Sequence, residues 1–467
     1  MKTKEAKTPL TLLAITAVCI SLAPMSPLSL GADDEQSEVK QLRKELDELK
    51  AEMANMKRQQ NSDKAEIHKR IDQENRALIQ EVLDDAGRRS SLEGNGILAG
   101  HNGKHFFLKS EDNKFLMNIG GQLQFRFLVD HQEDRLPDET ESGIQFRRAK
   151  ITFWGHAISE NLEYKIAFEG SRTNGRAGLE QAFIAYTLEN GIKITAGMVK
   201  VPFLREELTS DKRQLAVDRS SVTEFFTMNR ADLIEVSYTA DAWKGAVAVH
   251  DGGNSGFSDI GGDFVEVAVA GRLDLKLAGD WSQIKDFTTW EKDEGPAVFL
   301  GAAFDYELGD GDNGVDANYF GWTVDASLEA YPFNIFGALM GGHIDDDGEF
   351  GGVEPDMLGV LVQAGVKLSD DLEFFARYEM IDPDFVDKMQ LATVGINKYY
   401  KGHEAKLTLD VVVIYEGMPP GGDLVNPFFE AGPGGTNAFS SGLGFTGPGN
   451  TDDDINVLLR LQFQLLF

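Results

Sequence analysis

From about residue 105 onward the sequence alternates between apolar and polar residues, and that alternation limits the folds open to it. Over 455–467, Val457, Leu459, Leu461, Phe463, Leu465 and Phe467 fall on one face, and Asn456, Arg460, Gln462 and Gln464 on the other. Successive strand side chains point to opposite sides of a sheet, so this pattern is a strand with one oily and one wet face. The same reading applies to Leu407, Leu409, Val411, Val413 and Tyr415 against Lys406, Thr408 and Asp410. It applies again to Phe320, Trp322, Val324 and Leu328 against Thr323, Asp325, Ser327 and Glu329, and to Phe374, Ala376 and Tyr378 against Glu373, Arg377 and Glu379. Segments of this length match the 9–11 residues that cross a bilayer as a tilted strand. Only a closed barrel satisfies strand backbones in lipid.

Seventeen candidate strands can be drawn, from 116–130 to 453–467, including 261–271 and 272–283 as separate strands. A bacterial barrel with both ends on one side needs an even number. The expectation is therefore a transmembrane antiparallel β-barrel of 16 strands, with 18 as the alternative and the surplus strand between 261 and 331. Short connections at Ser159-Glu160, Asn190-Gly191, Ala240-Asp241, Ser369-Asp370 and Lys401-Gly402 alternate with long ones rich in Asp, Gly and Pro. This is the barrel habit of short turns at one end and long loops at the other.

The beginning of the chain reads differently. Lys2, Lys4 and Lys7 precede an apolar stretch broken at Pro24 and Pro27, with small residues at Ser29-Leu30-Gly31-Ala32. This is the layout of a signal peptide over 1–31. Val39, Leu42, Leu46, Leu49, Met53 and Met56 then recur at spacings of three and four, predicting an α-helical coiled coil over 33–86 that joins several copies, with a trimer preferred. Gly87, Gly94, Gly96, Gly100 and Gly103 predict a hinge over 87–104, ahead of a barrel domain over 105–467.

Composition removes several classes. The formal net charge is -31, which disfavours nucleic acid. Residues 231–467 hold 12 basic and 41 acidic side chains, so the acid excess sits in the second half. The single cysteine, Cys19, excludes disulfide frameworks and multi-cysteine metal sites, and its neighbour Val18 is too large for a lipid-attachment site. The acidic stretches 310–314 and 345–348 lack calcium-loop spacing, and Gly253-Asn254-Ser255-Gly256 is not a nucleophile elbow. No constellation marks an enzyme, a cofactor or a metal.

Two features carry a family resemblance. An alternating aromatic strand ending on Phe467 resembles the assembly signal of bacterial outer-membrane barrels. The stretch Gly197-Met198-Val199-Lys200-Val201-Pro202-Phe203-Leu204-Arg205-Glu206-Glu207, followed by Asp218-Arg219-Ser220, resembles the phosphate-selective porin O and P family. Gly121-Gln122-Leu123-Gln124-Phe125-Arg126, Phe146-Arg147-Arg148-Ala149-Lys150 and Glu163-Tyr164-Lys165 resemble that family's opening strands, and Asp218 stands where its glutamate is usual. The resemblance implies a 16-stranded trimeric barrel with a loop folded into the pore. It also implies residence in the outer membrane of a Gram-negative-type bacterium, surrounded by outer-membrane lipid.

By strand parity Arg126, Arg148, Lys150 and Lys165 form a basic ladder facing the lumen. Lys200, Arg205 and Arg219 flank or occupy the longest connection of the first half, 201–228, and complete the set expected to line the pore and hold anions. Asp325, Glu329, Glu373, Glu379 and Asp410 are expected on an opposed acidic wall. The function read from this is passive diffusion of small hydrophilic solutes, with a modest preference for anions such as phosphate. The alternative is a structural tether whose coiled coil links a barrel anchor to the cell wall.

Overall fold

A computed structural model describes residues 96–132, 140–170, 176–253, 265–290, 295–309, 317–346, 354–384, 388–416 and 455–467. They lie in one compact unit, Ala86–Phe467. The signal peptide and coiled coil expected over 1–31 and 33–86, and the first part of the hinge, fall outside the described residues.

Sixteen antiparallel strands close into a barrel. They are β3 (Leu116–Gln132), β4 (Thr140–Ala157), β5 (Ser159–Gly170), β6 (Ala177–Thr187), β7 (Lys193–Lys200), β8 (Arg230–Thr239), β9 (Trp243–His250) and β10 (Val265–Ala278), then β11 (Ala297–Gly309), β12 (Ala317–Ala330), β13 (Phe333–Asp346), β14 (Asp356–Ser369), β15 (Leu372–Pro383), β16 (Met389–Lys401), β17 (Ala405–Glu416) and β18 (Asn456–Leu466). Each pairs with its sequence neighbours, and β18 pairs with β3 through Phe125 opposite Phe463 and Gln124 opposite Gln464. Beyond β18, Phe467 and Gly121 exchange both backbone hydrogen bonds, at 2.7 and 3.1 Å.

The expected surplus strand is resolved at β10. The segments 261–271 and 272–283 are one strand, 265–278, without a turn between them. The alternation of Leu273, Leu275 and Leu277 on the outer face stops at Gly279, where φ is +87° and a Cβ would lie 2.4 Å from Ala297. The hinge expectation needs a second correction. Ile97–His101 and Phe106–Ser110 form a hairpin, β1 and β2, and β2 pairs with the start of β3, Phe106 opposite Ile119. β3 overhangs the shorter β18 there, and the hairpin covers backbone groups that would otherwise stand open.

The outer face carries the expected apolar residues: Leu123, Phe125, Phe127, Ile166, Phe304, Phe320, Trp322, Phe374, Leu461 and Phe463 are all exposed. Their neighbours Gln124, Arg126, Thr323, Glu373, Arg377, Arg460 and Gln464 turn inward and are buried. Short turns gather at the end holding 188–192, 240–242, 370–371 and 402–404.

One connection at this end departs from the expectation. The 279–296 segment is long, and its described part folds into the barrel. Phe287 packs on Phe336 with ring centroids 4.8 Å apart, and Thr289 donates to the Phe333 carbonyl at 3.1 Å.

Candidate functional site: a lumen divided by an inward loop

The 201–229 connection enters the lumen from the long-loop end. Gly197, at φ +127°, lets β7 lie against β6 just before it, since a Cβ there would sit 2.4 Å from the Ala182 carbonyl oxygen. The loop holds two short helices, α1 (Arg205–Leu208) and α2 (Ser221–Phe226), with one tight turn at Asp211–Arg213. The Ser220 side chain caps α2 by accepting from the Thr223 amide at 3.0 Å.

What fixes the loop differs on its two sides. Toward β12–β18 it is glued by apolar contact. Leu215, Ala216, Val222, Phe225 and Phe226 join one buried cluster with Phe336, Met340, Leu361, Phe375, Leu391, Val412 and Leu458 from the wall. Gly359 makes room, because a Cβ there would meet Phe226 at 2.6 Å and Val222 at 2.7 Å. Polar wall groups on this side are consumed by the loop backbone. Asp410 accepts from the Val217 amide at 2.9 Å, Glu379 from the Ser221 amide at 2.5 Å, and Lys406 donates to the Gln214 carbonyl at 2.7 Å. Arg377 reaches Glu206 of the loop at 2.9 Å.

Toward β3–β8 the contacts are ionic and water-accessible space remains. A cavity of about 810 Å³ lies between the loop and this wall, lined by nine Lys or Arg and six Asp or Glu side chains. A second, of about 1010 Å³, reaches the short-turn end beside Glu160, His403 and Phe467. The two share Gln122, Thr152, Lys165, Phe183 and Lys212, so they meet there. A smaller cavity of about 400 Å³ adjoins the first at Leu208, Ser210 and Glu235.

The seven residues singled out in the sequence divide. Arg148, Lys150, Lys165, Lys200 and Arg219 all border the first cavity. Arg148 is tied to Asp211 at 2.8 Å and Asp218 at 3.0 Å, and Lys150 to Asp211 at 2.7 Å and Glu180 at 2.6 Å. Arg219 and Lys200 converge on Glu207 at 3.0 and 3.2 Å. Lys165 alone of the five has no ion pair or hydrogen bond from its ammonium among the described residues, and Lys212 across the junction is likewise unpaired.

Arg126 is sealed away from both larger cavities. It is fully buried, donates to Gln145 at 2.8 Å and lies 3.6 Å from Asp218. Arg205 borders the smaller cavity. Its Nη2 donates to the Ile284 carbonyl at 2.7 Å, its guanidinium sits 5.6 Å from the Phe287 ring centroid, and Nε and Nη1 find no partner among the described residues.

The opposed acidic wall needs correcting. Glu329 borders the second cavity, whereas Asp325 is held by Arg272 at 2.9 Å, Glu373 accepts from Tyr399 at 2.5 Å, and Glu379 and Asp410 lie under the loop. The inward loop covers these strands, so inward parity there does not mean contact with the pore.

Two site residues escaped the parity argument, both at bulges. Between Gln124 and Phe125 the β3–β4 register slips by one, placing Arg147 and Arg148 both inward; Arg147 Nε reaches Asp218 at 2.5 Å. A slip in the β5–β6 register, between Ala167 and Phe168, skips Glu180, which then takes Lys150 and Arg230. A bulge adds one residue to one strand and re-aims a side chain. The doubled Arg147-Arg148 within an otherwise alternating run was the available signal.

At the short-turn end the infolded segment places Asp286 Oδ2 3.7 Å from His403 Nε2. Burial pushes the His403 imidazole down to about 4, against the pull of Asp286.

Comparison with known proteins agrees with this architecture. Residues 117–259, which span β3 to β9 and the inward loop, match the family described as phosphate-selective porin O and P. The resemblance read in the sequence is thereby shown over this segment. Among solved structures, the anion-selective porin from Comamonas acidovorans superposes with a TM-score of 0.52 at 11% identity, covering 75% of this chain and 99% of that one. The outer-membrane channel DcaP of Acinetobacter baumannii gives 0.50 at 14% identity, covering 79% and 100%. At such identities the likeness is one of fold. No curated protein matches the sequence. The family match over this segment and the closed barrel point to the outer membrane and support a channel for solute diffusion.

Proposed function

We propose that the channel favours small anions and that they pass along the β3–β8 side of the lumen. The observation that carries this reading is the junction of the two cavities, where the Lys165 and Lys212 ammonium groups make no direct ion pair among the described residues, with Glu180 and Asp211 acting on them only from beyond contact distance. Their paired neighbours Lys150, Arg148 and Arg219 hold carboxylates already and offer less unbalanced charge. A unit charge about 6 Å from a passing anion contributes roughly 1 kcal/mol in a wet, partly enclosed site, about a fivefold rise in local concentration. Lysine suits this role because it is a mobile point charge that attracts without clamping. Phosphate is the anion suggested by the family's description, and Arg205, which borders the adjoining cavity, is proposed to assist.

Reversal potential in a salt gradient across a planar bilayer tests the proposal. Lys165→Gln with Lys212→Gln is expected to lower the anion-to-cation permeability ratio severalfold. Cation preference in the unmodified protein would overturn the reading. Added phosphate should reduce chloride current if phosphate dwells at the junction.

The filled side of the lumen supports a second reading, in which the barrel anchors a tether to the cell wall. The two diverge on current: a pure anchor gives no channel events.

A further inference from the structure

We propose that His250, Asp305 and Glu307 form a binding site for one divalent transition-metal ion at the long-loop end of the lumen. The three lie on one inward patch. His250 ends β9, and Ala268 of β10 stands opposite it; Glu307 of β11 stands opposite the same alanine from the other side, and Asp305 is two residues away. Small side chains on β10 leave the space between the outer two strands open, since Ala268 and Ala270 are the residues in between. One donor atom from each of the three residues lies within 4.8 Å of the other two.

The charge balance supplies the independent argument. Asp305 and Glu307 are fully buried, and neither has a Lys or Arg ion partner among the described residues. Asp305 Oδ1 takes His250 Nε2 at 3.1 Å, and Glu307 Oε1 takes the Gly253 amide at 2.8 Å. That leaves Asp305 Oδ2 and Glu307 Oε2 buried and unpartnered. Two buried carboxylates beside one imidazole call for a compact positive charge, because an unpaired buried ion is costly. One imidazole nitrogen with two carboxylates is a borderline donor set, which suits zinc or manganese better than calcium or magnesium, whose ligands are oxygens.

Without the ion the Gly252 amide donates to Nδ1 at 3.2 Å, so the ring proton sits on Nε2. Binding moves that proton to Nδ1, opens the long Gly252 contact and frees the Nε2 lone pair for the metal. The ion then ties β9 to β11 across β10 and fixes the first residues after β9.

Zinc titration of the full-length, detergent-solubilised, chelator-treated protein tests this. We expect saturation at one zinc per chain, with His250→Gln and Glu307→Gln each weakening binding at least tenfold. Asp356→Asn, which removes the exposed His343–Asp356 pair, should leave it unchanged. Absence of saturable binding, or affinity that both site variants leave unaltered, overturns the proposal. Should the variants not fold, manganese bound to the His343→Gln protein decides. Nitrogen coupling in its magnetic-resonance spectrum supports the site, and a spectrum with oxygen ligands alone rejects it.

Discussion

Arg148 and Arg460 are both buried arginines held by aspartates, yet one borders open space and the other does not. Arg148 lines the 810 Å³ cavity and shares Asp211 and Asp218 with other cations. Arg460 grips Asp410 with two bonds of 2.7 Å beneath the inward loop. The two stand for the two sides of the lumen. Along β3–β8 the wall and the loop present charges to each other and leave room between them. Along β12–β18 phenylalanine, leucine and methionine fill that room, and Asp410, Glu379 and Lys406 meet the loop backbone. Facing inward is thus a property of strand geometry, whereas lining a pore depends on what covers the strand.

The largest test of this division is Asp218→Asn, because Asp218 lies where the loop meets the wet wall and receives Arg147, Arg148 and Arg126. Removing one partner of a buried ionic cluster costs about 3–5 kcal/mol. The denaturant midpoint of the folded barrel should fall accordingly, and surviving channels should show altered conductance.

Next comes Phe226→Ala, on the filled side, where truncating a buried aromatic costs about 3 kcal/mol or more. If apolar packing is what closes that side, the variant's channels should be noisier and more conductive. An unchanged current with reduced stability would show that the filled side is closed by its polar contacts instead.

A smaller effect separates residues on one wall. Arg148→Gln should shift the reversal potential toward cations by less than the double lysine replacement, since its charge is already shared. Arg126→Gln should leave the reversal potential in place while lowering stability. Equal shifts from both would mean that Arg126 reaches the permeation path. The smallest expected change is in conductance on removing residues 33–90: the barrel should conduct as before, and, if that segment forms the expected coiled coil, any oligomer should dissociate at lower temperature.

The outer face and most strand positions were readable because a bilayer imposes period two on the strands from Leu123 to Phe463. The inward loop was readable through the family resemblance around Lys200 to Asp218. Arg147 and Glu180 were hidden because a bulge breaks parity without any special composition. The infolding after Gly279 was hidden for another reason. Phe287 and Trp290 fall in a connection between strands, and nothing in their composition says that the connection folds inward. Asp410 and Glu379 were assigned to the pore because sequence gives direction along a strand and says nothing of a loop arriving from far away.

The pairing of β3 with β18 has a consequence for how the barrel is made. Gln124 and Gln464, bonded at 2.7 Å, are 340 residues apart. Until β18 is available, β3 and β17 each present a free row of amides and carbonyls, the kind of edge that recruits other chains. Contacts between such distant segments also form slowly, since a long loop must close before they can stabilise anything. The ring is therefore a late event with two sticky ends held apart beforehand, and the waiting chain needs a partner that occupies those ends and then releases them.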